Sequence, residues 1–108
     1  MSNSTKIATL NDALRHTFTG GRIYKTDGID ALDPEVQAKI LEAVRTFAHF
    51  TPDNDPYGEH DFGAVEIDKL RCFWKIEYYD LSLEFGSEDP TDPNKTTRVL
   101  TIMLAEEY

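Results

Sequence analysis

Residues 53–63 read DNDPYGEHDFG, and this polar run divides the chain into halves with different periodicities. Apolar residues before the run recur at helical spacing, whereas those after it alternate with a period of two. The run holds four carboxylates, an amide and an imidazole, with Pro56, Gly58 and Gly63 to bend the backbone. We therefore expect helices first, then a loop rich in polar and ionisable side chains, then a sheet.

Two helices and one short strand are predicted before the polar run. Ile7, Leu10 and Leu14 form one apolar face of a helix over residues 5–17, capped by Ser4 or Thr5 and ended by Gly20-Gly21. Residues 22–26 are a candidate for a short strand, and the Asp27-Gly28 pair indicates a turn after it.

The second helix has the clearest start signal in the sequence. Asp33 suits the N-cap position, Pro34 the first helical position and Glu35 the positive end of the helix dipole. An apolar stripe from Val36 to Ala48 follows, and the helix is expected to end near His49, because Pro52 disfavours helical geometry at the residue before it.

After the polar run the pattern predicts strands. Residues 63–67 alternate, Asp68-Lys69 suits a hairpin turn, and residues 72–79 place Cys72, Trp74, Ile76 and Tyr78 on one buried face. The alternation changes phase at Tyr79-Asp80, which indicates a bulge or turn. Residues 86–94 are loop-like, and Thr96–Ala105 is apolar on both faces, as in a central strand covered on both sides.

The order of elements predicts one α+β domain over residues 1–108. In it, two helices pack on a mostly antiparallel sheet of about four strands.

The charge of the chain is concentrated in its second half. The 108 residues have a formal net charge of −9, and cations balance anions within residues 1–50. An acidic surface repels nucleic acid and anionic membranes and attracts cationic partners, although solubility is an alternative explanation. The lone Cys72 and the absence of a leader-like start predict a reducing, cytoplasmic location, with no membrane segment.

Three stretches of the sequence resemble a known family. They are NDPYGEHDFG at residues 54–63, WKIEYYD at residues 74–80 and TRVLTIMLA at residues 97–105. Together they are similar to an uncharacterised bacterial domain of unknown function that occurs on plasmids and in genomes of soil bacteria. The resemblance implies a bacterial, often mobile-element setting. It implies no activity and assigns no catalytic residue.

The sequence matches the spacing of known metal-binding motifs poorly. The spacing Asp53-x-Asp55 imitates the start of a calcium loop, but Tyr57 and Ala64 stand where that loop needs its next ligand and its bidentate glutamate. The three histidines are not at paired zinc-ligand spacing, although a site built in three dimensions from residues 59–61 stays open. We predict no metal and no cofactor.

Acid–base chemistry and a structural role both remain open for Glu59, His60 and Asp61. An imidazole between two carboxylates could move a proton, so a small hydrolase using the loop Asp53–Asp61 is one hypothesis. In the structural alternative, short polar side chains bond the turn amides and His60 bridges the loop to the sheet.

The hypothesis that we favour from the sequence is a small acidic binding protein rather than an enzyme. Its partner would be a basic protein surface, such as that of a nucleic-acid-binding defence protein, which it would inhibit by mimicking nucleic-acid charge, as anti-restriction or anti-CRISPR proteins do. Direct nucleic-acid binding is not expected. Loop carboxylates are expected to project into water and to form one ridge if their loops share an end of the sheet. The candidate binding residues are Asp53, Asp55, Glu59, Asp61, Glu88, Asp89 and Asp92.

Overall fold

Four strands form a single sheet in the computed structural model, which describes residues 2–108. The elements in chain order are α1 (Asn3–Thr17), β1 (Arg22–Lys25), α2 (Asp27–Asp30), α3 (Pro34–Thr46), β2 (Phe62–Ile67), β3 (Leu70–Tyr79), β4 (Thr97–Leu104) and a 3₁₀ turn (Ala105–Glu107). The strand order is β1-β4-β3-β2; β1 runs parallel to β4, and the other pairs are antiparallel. The predicted α+β class is confirmed.

The core lies between the helices and one face of the sheet. Trp74 of β3 is fully buried there, in one cluster with Ile40 and Val44 of α3 and Leu14 of α1. Cys72 shares this face and is also fully buried, so the predicted phase of β3 is confirmed. Gly63 of β2 pairs with Trp74 across the ladder, and its lack of a side chain leaves room for the indole ring.

The helix boundaries differ from the prediction where tertiary contacts intervene. The second predicted helix is α3; it begins at Pro34 as expected but ends at Thr46 rather than near His49. The Arg15 guanidinium of α1 donates hydrogen bonds to the carbonyls of Val44, Arg45 and Phe47, so these groups need no further helical turn.

Two other boundaries are set locally. Ser2, rather than Ser4 or Thr5, caps α1, and Phe18 in the left-handed conformation ends it before Gly20. The predicted turn at Asp27-Gly28 is one short helical turn, α2, whose Ile29 is fully buried in the core.

The predicted central strand is β4, which lies between β1 and β3. Side chains of β4 are buried on both faces of the sheet, but the helices cover only one of these faces. On the other face, Met103 pairs across the ladder with Phe73, whose ring packs against Phe62 and Tyr108. The phase change after Tyr79 is a turn, and Leu81 and Phe85 are exposed beyond it.

None of the helices in residues 2–108 is both long enough and apolar enough to span a bilayer.

Candidate functional site

Two carboxylate-rich segments meet at one end of the sheet. The polar run leads into β2, and residues 80–96, here called the acidic loop, leave β3 and lead into β4. Because β3 is antiparallel to both of its neighbours, the start of β2, the end of β3 and the start of β4 lie at the same end. The two segments hold nine carboxylates and one lysine, Lys95. We call this region the acidic end.

A buried hydrogen-bond network holds the two segments together. Arg98 of β4 donates from Nε to Oδ1 of Asn11 at 2.8 Å and also donates to the carbonyl of Pro90 in the acidic loop. Asn11 donates from Nδ2 to the Tyr78 hydroxyl at 2.8 Å and to the carbonyl of Glu59 at 3.0 Å. The polar run and the acidic loop are thus fixed to the same asparagine of α1.

Tyr78 closes this network on the side of the polar run. Its hydroxyl donates to Oε1 of Glu59 at 2.9 Å, and its ring lies beneath the Arg98 guanidinium, 5.2 Å from ring centroid to Cζ. Burial is the main cause that raises the pKa of Tyr78, so the phenol keeps its proton and remains a donor. The Glu59 carboxylate is therefore held by the fold rather than free to swing in solvent.

His60 connects the polar run to α1, so the predicted bridge from His60 to the sheet is wrong. Its Nδ1 lies 3.0 Å from Oδ1 of Asp12, and its ring stacks flat on Phe50 at a centroid separation of 3.9 Å. Its Nε2 lies 3.7 Å from Oδ2 of Asp55. Both ring nitrogens thus face carboxylates of the same chain, and the contact with Asp12 ties the polar run to α1.

The carboxylates of the polar run do not all point outward. Asp53 is exposed, as expected, but the expectation is wrong for Asp55, which is only 9% exposed and accepts the His60 backbone N–H at 3.2 Å. That bond supports His60 in a left-handed conformation with φ of 56°.

Asp61 lies half-buried beside the other carboxylates of the polar run. Burial, followed by the nearby charge of Glu59, raises the pKa of Asp61. Its ionised form is therefore less favourable in the folded chain than in water.

The acidic loop presents its carboxylates closer to solvent. Glu88 is exposed and lies 3.6 Å from the Lys95 ammonium. Asp89 accepts hydrogen bonds from the hydroxyl and backbone N–H of Thr91; these bonds lower the pKa of Asp89 and keep it ionised. Asp92 accepts the backbone N–H of Asn94. These residues shape the loop while their charges remain at the surface.

The predicted sites omit the residues that organise this end, namely Asn11, Asp12, Arg15, Tyr78 and Arg98. A signal for some of them exists in the sequence. Asn11 and Arg15 follow Ile7 at helical spacing, so they share the buried stripe of α1. Arg98 alternates with Leu100 and Ile102 and so shares the core face of β4. A polar residue in an apolar stripe needs a buried partner, and here those partners form the network.

Within residues 2–108, no group of three His, Cys, Asp or Glu side chains is placed to hold a metal ion.

The fold and this site define a small α+β protein with a strongly acidic, internally braced end of its sheet. The chain belongs to a family described as protein of unknown function (DUF3768), whose family model matches residues 25–107. The match covers α3, β2, β3, β4 and both acidic segments, whereas α1, which supplies Asn11 and Asp12, and all of β1 except Lys25 precede it. Neither the curated proteins nor the solved structures contain a significant match to this chain.

Proposed function

We propose that the chain is a non-enzymatic binding protein whose acidic end engages a basic surface of a partner protein. The observation that carries this proposal is the meeting of the polar run and the acidic loop at one end of the sheet. Carboxylates gathered there create a negative potential that steers a cationic partner during its approach.

The opposite end of the molecule offers a contrast that supports the proposal. Lys25, Lys39, Lys69 and Arg71 stand there among the carboxylates, and two of the lysines are paired, Lys25 with Asp30 and Lys39 with Asp68. Four cations there compare with one, Lys95, within the polar run and the acidic loop, so negative charge is denser at the acidic end.

Asp61 adds a second argument. Its ionised form is disfavoured by burial and by Glu59 in the free protein, and a cation brought beside it by a partner would relieve that cost. A carboxylate kept where it is unfavourable is typical of a functional surface more than of a stabilising one.

The finer proposal is that the partner is a nucleic-acid-binding defence protein, which the acidic end inhibits as a mimic of nucleic-acid charge. The motivation is the charge itself, since a surface that binds phosphates also attracts clustered carboxylates. Such an inhibitor should compete with DNA or RNA for the partner.

The experiment compares two variants of equal net charge. One neutralises the acidic loop (Glu88→Gln, Asp89→Asn, Asp92→Asn), and the other neutralises three exposed carboxylates elsewhere (Asp33→Asn, Glu35→Gln, Glu106→Gln). Each protein is immobilised, exposed to bacterial lysate and analysed by mass spectrometry, and association rates with the retained partner are then measured at several salt concentrations.

We expect a basic protein to be retained by the wild type and the control variant, and to associate more slowly with the acidic-loop variant. The rate should fall as salt rises, because exposed charges are screened over about 8 Å at physiological ionic strength. Equal rates for the two variants, or rates indifferent to salt, would refute the proposal and leave acidity as a solubility device.

A small hydrolase is the second candidate, and the contact of His60 with Asp12 is the observation in its favour. It would use Glu59, His60 or Asp61 as acid or base. His60→Ala would then abolish a hydrolytic activity while leaving partner capture intact, whereas a binding protein with a structural His60 should lose stability instead.

A further inference from the structure

The outer edge of β2 has free backbone hydrogen-bonding groups. The two-residue turn Asp68-Lys69, with φ of 51° and 68°, makes Ile67–Leu70 the hydrogen-bonded pair beside it. Alternation along the ladder then directs the N–H and C=O of Ala64 away from β3, and those of Glu66 likewise. Within residues 2–108, no hydrogen bond outside the ladder uses these groups. The edge is therefore a template for a further strand.

A depression flanks this edge on each face of the sheet. On the helix side, a groove of about 590 Å³ lies between α3 and β2, with Ala38, Ala43 and Ile67 among its lining. On the other side, a depression of about 240 Å³ is lined by Ala64, Glu66 and Arg71. Successive side chains of an added strand point to opposite faces, so they would enter the two depressions in turn.

We propose that β2 accepts an extended segment of a partner protein as a fifth strand, beside β2 and across from α3. This site is separate from the acidic end and does not depend on the function proposed above. Main-chain hydrogen bonds to Ala64 and Glu66 would hold the segment, and the two depressions would select its side chains.

Charge identifies a side chain that suits the edge. On the helix side the carboxylates already have partners, Glu42 with Arg45 and Asp68 with Lys39. On the other face lies Glu66, next to Ala64 along the outer edge. Glu66 is exposed and has no ion-pair partner within 4 Å among residues 2–108. A residue of the added strand opposite Glu66 shares its face, so the segment should place a lysine or arginine there, with small or β-branched residues on the helix side. A second copy of this chain fits less well, because two molecules of net charge −9 repel each other.

The test is a selection from a phage-displayed library of random 12-residue peptides. Wild-type protein is the bait, and the Ala64→Pro variant removes non-specific binders by counter-selection. Proline at position 64 deletes the outward N–H but no donor of the β2–β3 ladder, so the strand should persist. Ala64→Val is the matched control, since valine keeps the N–H and suits a strand. Circular dichroism and thermal unfolding check that each variant folds.

We expect enriched peptides with alternating β-branched and basic residues. By fluorescence anisotropy, a labelled peptide of this set should bind wild type and Ala64→Val alike and bind Ala64→Pro at least about tenfold more weakly. Ala43→Trp, which fills the groove, should weaken binding, and the amide NMR signals of Ala64 and Glu66 should shift on binding.

Two results would overturn the proposal. One is the absence of any peptide that prefers the wild type to Ala64→Pro. The other is a dimer of the wild type alone in sedimentation that Ala64→Pro dissolves, which would make a second copy the occupant of the edge.

Discussion

Replacing Arg15 by methionine tests the central packing argument of the fold. The Arg15 side chain is 1% exposed, and its Nη1 donates to the carbonyls of Val44 at 2.8 Å and Phe47 at 2.6 Å. Its guanidinium also lies over the Trp74 ring, 4.9 Å from the centroid. Methionine keeps an unbranched apolar stem but provides no donor, so carbonyls at the end of α3 lose their partners.

The expected loss in free energy of unfolding is about 3–5 kcal/mol. A buried acceptor left without a donor costs about 1–3 kcal/mol, and Arg15 serves at least two. Burial lowers the pKa of Arg15, which reflects the cost of holding its charge inside; removing that charge offsets part of the loss. The Asp12 carboxylate, 3.2 Å from Nη2 of Arg15, also loses its cation and so limits the offset.

Urea unfolding followed by far-ultraviolet circular dichroism measures this difference by linear extrapolation. Arg45→Met is the matched control, because it removes the same group from a more exposed pair with Glu42, and it should barely move the urea midpoint. A loss below about 1 kcal/mol for Arg15→Met would refute the claim that this side chain terminates α3.

Three further changes test the core and the acidic end. Trp74→Ala should cost about 3–5 kcal/mol in urea unfolding, and a loss under about 1 kcal/mol would mean that its face is not the core. Gly63→Ala should cost about 1–3 kcal/mol of stability, because a Cβ there would lie 2.7 Å from Cε2 of Trp74. Adding Trp74→Phe to the Gly63→Ala chain should recover part of that loss. If the effects of the two substitutions were fully additive, the contact would be contradicted. Asp61→Asn should stabilise the fold at pH 7. Folding raises the pKa of Asp61, so the ionised side chain destabilises the native state, and the neutral asparagine removes that cost. The gain in stability should shrink as the pH falls through the folded pKa of Asp61 towards the ordinary carboxyl range. A gain that is absent at pH 7, or that stays constant with pH, would contradict the argument. Asp53→Asn, at an exposed site, is the control.

Periodicity predicted the elements whose burial is regular. The alternation of Cys72, Trp74 and Ile76 predicted both β3 and its buried face, and two-sided apolarity predicted the central position of β4. The Asp33-Pro34 pair predicted the start of α3, although the Asp33 side chain makes no capping hydrogen bond. Local rules are sufficient where local geometry determines the structure.

The features that the sequence did not predict depend on contacts between distant residues. The end of α3 is set by Arg15, which precedes it by about thirty positions, and no helix-stop rule contains that information. The network of Asn11, Tyr78, Glu59 and Arg98 likewise joins α1, β3, β4 and the polar run, which only the fold brings together. Composition predicted that the polar run is rich in carboxylates, but not which of them point inward.

The inward carboxylates bear on how the acidic end would work. Asp55 and Glu59 are engaged with His60 and Tyr78, so they brace the polar run and are poorly placed to meet a partner. Their charges still act through space on Asp61, since Glu59 and Asp55 both help to raise its pKa. If the proposed function holds, Asp61→Asn should therefore make the fold more stable and partner association weaker at the same time. A purely structural acidic end predicts the first effect without the second, so measuring both on one variant separates the two accounts.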